Sequence, residues 1–290
     1  VRSKGEMAQH LASTFAKCKA SGRPAFVAYL TAGFLEKDDT IPLLLALQEG
    51  GADVIEVGVP FTDPMADGTT IQKANEVALA NGIVGPGICI DVVKEARKKG
   101  LVVPVVLMGY CNPFIMYRGG VDKLGADCKD AGVCGFIMVD LPVEEASEVL
   151  NMCGKYDLSF VPLLAPTSTD ERIEKLAKTA SSWIYAVSVT GVTGARAEMS
   201  SDLPAFLARI RKHTDVPVAV GFGVSTREHV LDLYKNGADG AVVGSAIINA
   251  IQNASNSAER VKAVKKLVMD LTTGPVDVNA SDGGVKPRAV

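Results

Sequence analysis

Residues 54–68 read VIEVGVPFTDPMADG. This stretch begins as an apolar strand and ends as an acidic loop in which two prolines restrict the backbone. Glu56 lies inside the apolar part, where an ionised carboxylate is costly to bury unless it is paired or protonated. Asp63 and Asp67 follow on the loop. A carboxylate near the end of a strand, with further acids on the next loop, has the composition that acid–base chemistry requires.

Apolar, strand-like runs alternate with helical patterns on both sides of this stretch. The eight runs are residues 25–31, 54–59, 103–109, 135–140, 159–164, 183–188, 216–221 and 240–243. They are apolar on both faces, as parallel strands are when helices cover them. The pattern predicts an α/β fold, a single (β/α)8 TIM barrel domain over residues 1–271 with an additional N-terminal helix near 7–20. Residues 272–290 lack periodicity and are predicted to be a C-terminal linker or disordered tail.

Composition and charge limit the binding partners and the cellular location that we expect for this chain. The net charge is −3 and no basic stripe stands out, so neither nucleic acid nor a membrane is an expected partner. No apolar run is long enough to span a bilayer, and no signal peptide is evident. None of the six cysteines forms a C-x-x-C pair. We therefore predict reduced thiols and a cytoplasmic location.

The predicted strand ends carry acids but no lysine or histidine. Chemistry in this fold takes place at the carboxyl ends of the strands. A Schiff-base lyase needs a lysine there, and a metal site needs clustered histidines and acids, so we expect neither a metal nor a cofactor. Carboxylate chemistry remains, with Glu56 and Asp67 as the main candidates. Asp63 and Asp140 are weaker ones, because Asp63 could simply cap or turn the proline-rich loop, and for Asp140 a cap of the next helix is slightly favoured over catalysis. Thr40 and Ser225 are predicted helix caps.

Three glycine-rich turns follow the last three predicted strands. They contain Gly191 and Gly194, then Gly221 and Gly223, then Gly244 with a helix directly behind it. Glycines let a ligand approach the backbone, and the amides at a helix N-terminus attract anions. Phosphate sites in this fold often use the loops after the seventh and eighth strands. The turns therefore predict a phosphate site, with tight turns alone as the alternative.

The run from Glu56 to Gly68, with Thr70-Ile71-Gln72 behind it, resembles the signature of the tryptophan synthase alpha subunit family. Residues 139–145, 191–194, 221–225 and 244–247 match the same family, and the resemblance extends over 7–271. It implies a carbon–carbon lyase of tryptophan biosynthesis that needs no cofactor. The implied reaction is the retro-aldol cleavage of indole-3-glycerol phosphate to indole and glyceraldehyde 3-phosphate.

The resemblance also implies roles for individual residues. Glu56 matches the acid–base carboxylate, and Asp67 matches the acid that meets the indole N–H. Asp63 and Asn112 match the surface that faces the tryptophan synthase beta subunit. Substrate-binding positions are matched by Tyr110, Tyr185, Thr193, Gly194, Phe222, Gly223, Gly244 and Ser245.

Three further readings stay open. The sequence is closer to eukaryotic members, in which the beta part is a fused domain, and residues 272–290 would then begin the connection to it. The chain could also be a stand-alone indole-releasing lyase of the same fold, or a catalytically quiet subunit that binds phosphate and assists a partner. The presence of both Glu56 and Asp67 argues against the quiet subunit.

Overall fold

A ring of short parallel strands forms the centre of the molecule. The computed structural model describes residues 7–187, 202–221 and 223–273. The strands are β1 (Ala25–Thr31), β2 (Val54–Gly58), β3 (Val105–Gly109), β4 (Gly135–Met138), β5 (Ser159–Phe160), β6 (Leu163–Leu164), β7 (Ile184–Val187), β8 (Val218–Gly221) and β9 (Gly240–Val243). Most of their residues are buried, as the apolar composition of both strand faces predicts.

The ring closes at the fifth predicted strand, which Pro162 divides into β5 and β6. The hydrogen-bonded order is β5-β4-β3-β2-β1-β9-β8-β7-β6, and every pair is parallel. Between the two halves, the Val161 N–H donates to Phe136 O at 2.9 Å and the Pro162 carbonyl accepts from Tyr185 N–H at 3.0 Å. Because proline has no N–H, the ladder is interrupted there while the chain itself joins both ends of the sheet. The predicted (β/α)8 barrel is confirmed.

Helices surround the ring. They are α1 (Met7–Ala20), α2 (Thr40–Gly50), α3 (Thr69–Ala80), α4 (Pro86–Lys98), α5 (Cys111–Ile115), α6 (Gly120–Ala131), α7 (Ser147–Tyr156), α8 (Asp170–Ala177), α9 (Leu203–Arg211), α10 (Arg227–Lys235), α11 (Ser245–Asn253) and α12 (Ser257–Thr273), with a 3₁₀ turn at Lys37–Asp39. The additional N-terminal helix is α1, within the predicted range. Among the described residues, no helix has the length and apolar character needed to cross a bilayer.

Two apolar layers fill the barrel. The inner layer contains side chains such as Val54 and Val106. Helix α1 packs against this layer through Leu11 and Phe15, at the end of the barrel where the strands begin. Phe15 stacks on Trp183 with ring centroids 5.6 Å apart. The outer layer lies between the strands and the surrounding helices. Since α1 covers the end at which the strands begin, the end at which they finish remains for a ligand.

The last helix ties the end of the barrel to its beginning. Arg260 of α12 is 9% exposed and forms ion pairs with Asp39 at 2.5 Å and with Glu36 at 2.7 Å. Helix α12 also packs against α2. Thr272, where the predicted tail begins, is still helical, and α12 ends at Thr273. The rest of the predicted tail, from residue 274, lies outside the described residues.

Candidate active site

Glu56 lies in the interior of the barrel with no polar partner. It belongs to β2, between Tyr29 of β1 and Val106 of β3 in the strand register. The residue is 0% exposed, and neither carboxyl oxygen has a hydrogen-bond partner within the described parts of the chain. Burial raises the pKa of Glu56 from its usual 4.5 to about 8. The carboxyl group is therefore mostly protonated at neutral pH and can act as an acid.

The loop after β2 places Asp67 at the beginning of α3. The backbone N–H of Asp67 donates to Pro64 O at 3.0 Å, which closes a turn. The Gln72 side-chain amide donates to Asp67 O at 3.0 Å and to Pro64 O at 3.3 Å. Gly68 is the N-cap of α3. These bonds hold the loop to the first turn of the helix and fix the backbone on which the Asp67 carboxylate is carried.

Tyr110 fixes the Asp67 side chain. Its O–H donates to Asp67 Oδ2 at 3.1 Å, and the same phenol oxygen accepts the Ala66 N–H at 2.9 Å. The Tyr110 ring stacks on Phe61 with centroids 4.9 Å apart. Burial raises the pKa of Asp67 from 3.8 to about 6, and the Tyr110 hydrogen bond opposes this rise. At neutral pH the site thus combines a mostly ionised Asp67 with a mostly protonated Glu56, which is the division of roles that acid catalysis with charge stabilisation needs.

The two carboxyl groups share one cavity of about 200 Å³ at the carboxyl end of the strands. The described residues that line it are Tyr29, Glu56, Asp67, Gly68, Thr70, Ile71, Met108, Tyr185, Gly223, Val224, Ser225, Val242, Gly244, Ser245, Ala246 and Asn249. Apolar side chains lie between two polar ends, one with the acids and one with glycines and serines. This is a shape for an elongated ligand that has a ring and an anionic group.

The glycine and serine end is built to receive an anion. Gly244 is the N-cap of α11, and Gly244, Ser245 and Ala246 line this end of the cavity. The first turn contains no acidic residue, and the backbone amides of a first turn have no partner within their own helix. Gly223 has a φ of +78°, a conformation that favours glycine. Ser225 and Ser245 add hydroxyl groups to the same lining. The lining residues described here include no lysine, arginine or histidine, so backbone dipoles supply the positive potential.

Two tyrosines of the cavity need glycines on the neighbouring strands. The Tyr29 hydroxyl is hydrogen-bonded to Thr31 Oγ1 at 3.0 Å, and a side chain on Gly58 would overlap it. A side chain on Gly221 would overlap the Tyr185 hydroxyl in the same way. The sequence did not indicate that Tyr29 fits against Gly58, because the fit between a tyrosine and a glycine on different strands leaves no local signal.

Gly221→Ala tests the fit of Tyr185. The added methyl group meets the ring oxygen and carbon atoms of a buried tyrosine, so we expect a loss of about 1–3 kcal/mol in the free energy of unfolding, as for overpacking elsewhere. Denaturant-induced unfolding measures it. Gly154→Ala on α7 is the matched control, since a side chain there meets no atom within 4 Å, and we expect it to be neutral or stabilising. Equal stability of the two variants would contradict the close fit.

The structure distributes the other predicted site residues unevenly. Tyr110 is absent from the cavity lining among the described residues and instead contacts Asp67. Asp63 and Asn112 are exposed on neighbouring segments after β2 and β3. Asp140 accepts the N–H of Cys111 at 2.6 Å, at the beginning of α5, and so serves another helix than the one predicted. Thr193, Gly194 and Phe222 lie outside the described residues.

Metal and thiol chemistry find little support in the described residues. No group of three or more histidine, cysteine, aspartate or glutamate side chains there could hold a metal ion. All six cysteines carry thiols, and burial raises the pKa of those at positions 89 and 153 to about 12. Such thiols are poor nucleophiles at neutral pH.

The family is shown by comparison with known proteins. A model of the family described as tryptophan synthase alpha chain matches residues 15–274. The chain belongs to this family. The resemblance found in the sequence is confirmed, and with it the family's function, cleavage of indole-3-glycerol phosphate in tryptophan biosynthesis by a lyase.

Individual relatives agree with the assignment to the tryptophan synthase alpha chain family. The alpha chain of Roseiflexus castenholzii is 49% identical over 242 residues, which cover 83% of this chain and 91% of that protein. The tryptophan synthase of Saccharomyces cerevisiae is 45% identical over 269 residues, 92% of this chain but 37% of that longer protein. A structure of tryptophan synthase from Mycobacterium tuberculosis is 35% identical with a TM-score of 0.82, covering 91% of this chain and 97% of that one.

Proposed function

We propose that this chain cleaves indole-3-glycerol phosphate to indole and glyceraldehyde 3-phosphate with Glu56 as the proton donor. The observation that supports this most directly is the buried, unpartnered Glu56 carboxyl group, whose pKa is about 8, in one cavity with Asp67, whose pKa is about 6. An indole carbanion is a poor leaving group, so carbon 3 of the ring must be protonated before or as the bond to the glycerol chain breaks. A protonated Glu56 supplies that proton.

The reaction balances with these two groups and no cofactor. Glu56 gives its proton to carbon 3 of the ring, which leaves a cationic ring system. Asp67, ionised and held by Tyr110, stabilises this cation through the ring N–H. The carbon–carbon bond then breaks, its electron pair returns to the ring, and the hydroxyl on the first glycerol carbon becomes a carbonyl. The hydroxyl proton passes to the Glu56 carboxylate, which restores the starting state.

The anion end of the cavity supplies binding energy away from the reacting bond. The substrate phosphate carries about −1.5 to −2 charges at neutral pH and fits the amides at the beginning of α11. Gly223, Gly244 and Ser245 are the residues that we assign to it. Holding the phosphate there orients the glycerol chain between the two carboxyl groups, and this positioning lowers the barrier.

Gly244→Val tests the anion end. A Cβ atom at Gly244 lies 3.4 Å from Tyr29 Cδ1, an ordinary contact, so the fold tolerates it, whereas the valine methyl groups obstruct the anion. We expect the affinity for glycerol phosphate, measured by calorimetry, to fall at least about tenfold, the loss of one good hydrogen bond to a charged group. Gly244→Ala is the matched control and loses less. Unchanged affinity in the folded valine variant would place the phosphate elsewhere.

We further propose that a beta subunit, or a fused beta domain, docks beside Asp63 and Asn112. Met65 is 86% exposed in the first of these segments and Met116 is 74% exposed directly after α5. Large exposed apolar side chains at the mouth of a site are typical of a protein interface. A structure of the tryptophan synthase complex of Pyrococcus furiosus, 39% identical with a TM-score of 0.75, supports this by family likeness. A cytoplasmic location stays a prediction.

Indole release, measured with and without an added beta subunit, tests the proposal against its alternatives. We expect slow release by the chain alone and faster release with the partner. Full activity without stimulation would favour the stand-alone lyase, and no release under either condition would favour the quiet phosphate-binding subunit. The substrate-binding role that the resemblance implies for Thr193 stays a prediction, since this residue lies outside the described residues.

A further inference from the structure

A histidine completes the N-terminal cap of α10 beside the anion end of the cavity. Thr226 is the N-cap residue, and its hydroxyl oxygen accepts the His229 backbone N–H at 3.2 Å. In return, His229 Nδ1 accepts the backbone N–H of Ser225 at 3.4 Å. This reciprocal pattern is a variant of the capping box: the returning side chain, usually glutamate or glutamine, is here a histidine, and it accepts the N–H of the residue before the N-cap instead of that of the N-cap itself.

Histidine differs from the usual residues at this place because it can lose its acceptor. Neutral imidazole accepts at one ring nitrogen, whereas protonated imidazole donates at both. The hydrogen bond from Ser225 therefore exists only while Nδ1 of His229 carries no proton. Histidine is the side chain whose ordinary charge change falls within the range of pH in which enzymes work.

Ser225 connects this cap to the ligand. It lines the cavity together with Gly223 and Gly244, at the end that we assign to phosphate. An anion at this end competes with the neutral imidazole for the Ser225 N–H, since both are acceptors. It also brings two negative charges to a lining in which the described residues include no cationic side chain. Both effects favour the protonated form of His229 when the anion is bound.

We propose that a tetrahedral dianion binds at this end together with one proton, which His229 takes up at Nδ1. The inference rests on the proposed anion end. Protonation removes the acceptor from Ser225, so its N–H is released toward the anion, and the imidazolium adds a positive charge behind the turn. His229 is therefore a positioning residue of the phosphate end that acts through Ser225, and the binding of the anion and the uptake of the proton strengthen each other.

Other charged groups also lie near the cap of α10. On α10 the charged residues near His229 are Arg227, which donates to Leu271 O of α12, Glu228, which interacts electrostatically with the imidazole, and Asp232, one turn further on, which pairs with Lys235. Helix α12 packs against α10 and carries Lys266 and Asp270, which pair with each other. Strand β9, also packed against α10, contains no titratable residue.

Glu56 and Asp67 line the same cavity and also titrate as the pH changes. The pH dependence of anion affinity would therefore combine the protonation of three groups. The decisive measurement must follow the protonation of His229 itself. The chain offers a favourable case because it has only three histidines, and His10 and His213 provide internal references in the same sample.

Proton NMR titration of the three imidazoles, with and without inorganic sulfate, tests the proposal. Sulfate is the probe because its charge stays constant, whereas a phosphate monoester gains a proton near pH 6. We expect sulfate to move the midpoint of the His229 titration to higher pH, by about one unit if the protonated form binds the anion tenfold more tightly. The midpoints of His10 and His213 stay in place. Equal behaviour of all three histidines would overturn the proposal.

His229→Gln removes the group that takes up the proton but keeps the hydrogen bond of the cap. Glutamine offers an acceptor to the Ser225 N–H and does not titrate. Calorimetry in two buffers of different ionisation enthalpy gives the protons taken up with sulfate, and we expect the parent to take up more than the variant. Equal uptake would refute the role of His229 and leave the anion end intact. If sulfate fails to compete with glycerol phosphate in the parent, the anion end itself is wrong and the proposal falls with it.

Discussion

Glutamine at position 56 lowers the rate of indole release by at least about 10²–10⁴-fold, the contribution typical of general acid–base catalysis. Glutamine keeps the size of the side chain but has no proton to give to the ring. Because neither Glu56 oxygen has a partner among the described residues, the change breaks no hydrogen bond there. Steady-state indole release by the purified chain measures the effect. Glu148→Gln, on the exposed surface of α7, is the control and should keep the parent rate. Activity within a few-fold of the parent would remove Glu56 from the mechanism.

The same substitution changes how stability depends on pH. The pKa of Glu56 is 4.5 when unperturbed and about 8 in the folded protein, so between these values the folded state holds a proton that the unfolded chain releases. Parent stability therefore falls, relative to Glu56→Gln, as the pH rises from 4.5 to 8. Above pH 8 the variant should be more stable by a few kcal/mol, about 1.4 kcal/mol for each unit of pKa shift. A pH-independent difference in unfolding free energy would show that the carboxyl group is not desolvated.

Periodicity and apolar runs were sufficient for most of the fold. The predicted bounds of β1 and β9 agree with the structure, because each run is buried along its whole length, β1 ends at a turn and β9 ends at the N-cap glycine of α11. The predicted strand 159–164 was wrong in detail, since Pro162 interrupts its ladder. A parallel barrel repeats one local pattern, so sequence alone recovers its architecture well, while the closure of the ring depends on contacts between distant strands.

Helix caps were less predictable because polar side chains find more distant partners. Thr40 is the first residue of α2 and its hydroxyl accepts the Gly33 N–H at 2.8 Å, so it holds the loop after β1 and does not cap the helix. Thr226, and not Ser225, caps α10. Both predictions identified the correct turn but the wrong bond, since neighbouring hydroxyl groups compete for the same few amides.

The residues of the candidate site also fall into two groups, those that the sequence indicates and those that only the structure reveals. Glu56 and Asp67 stand out in the sequence because acids in an apolar strand and a short loop are unusual, and the structure brings both to one cavity. Tyr110 and Thr31 act across long sequence distances or through other side chains, so no motif marks what they do. Local composition shows where an acidic residue occurs in an otherwise apolar segment. Only the tertiary structure shows which other residues contact that acid and control its ionisation.

Asparagine at position 67 lowers indole release by about 10²–10³-fold, the usual cost of removing one group aimed at transition-state charge. The variant keeps a similar shape and can still accept a hydrogen bond from Tyr110, so the loop should remain in place. What disappears is the negative charge that stabilises the cationic ring after protonation. Indole release by the chain alone measures the loss, and Asp91→Asn, at an exposed position of α4, should keep the parent rate. A loss no larger than that of the control would exclude an ionised Asp67 from the mechanism.

The pH dependence of activity tests whether Asp67 acts through its charge and not merely through its shape. Parent activity should fall as the pH decreases through about 6, because protonated Asp67 no longer stabilises the cation, and the asparagine variant should lack this limb. Tyr110→Phe removes the hydrogen bond that holds the pKa of Asp67 down, so its acidic limb should move to higher pH while activity well above that limb persists. A limb that stays in place in Tyr110→Phe would mean that another group controls the profile. The two variants together test whether Asp67 works through its charge and whether Tyr110 sets the pH at which that charge is available.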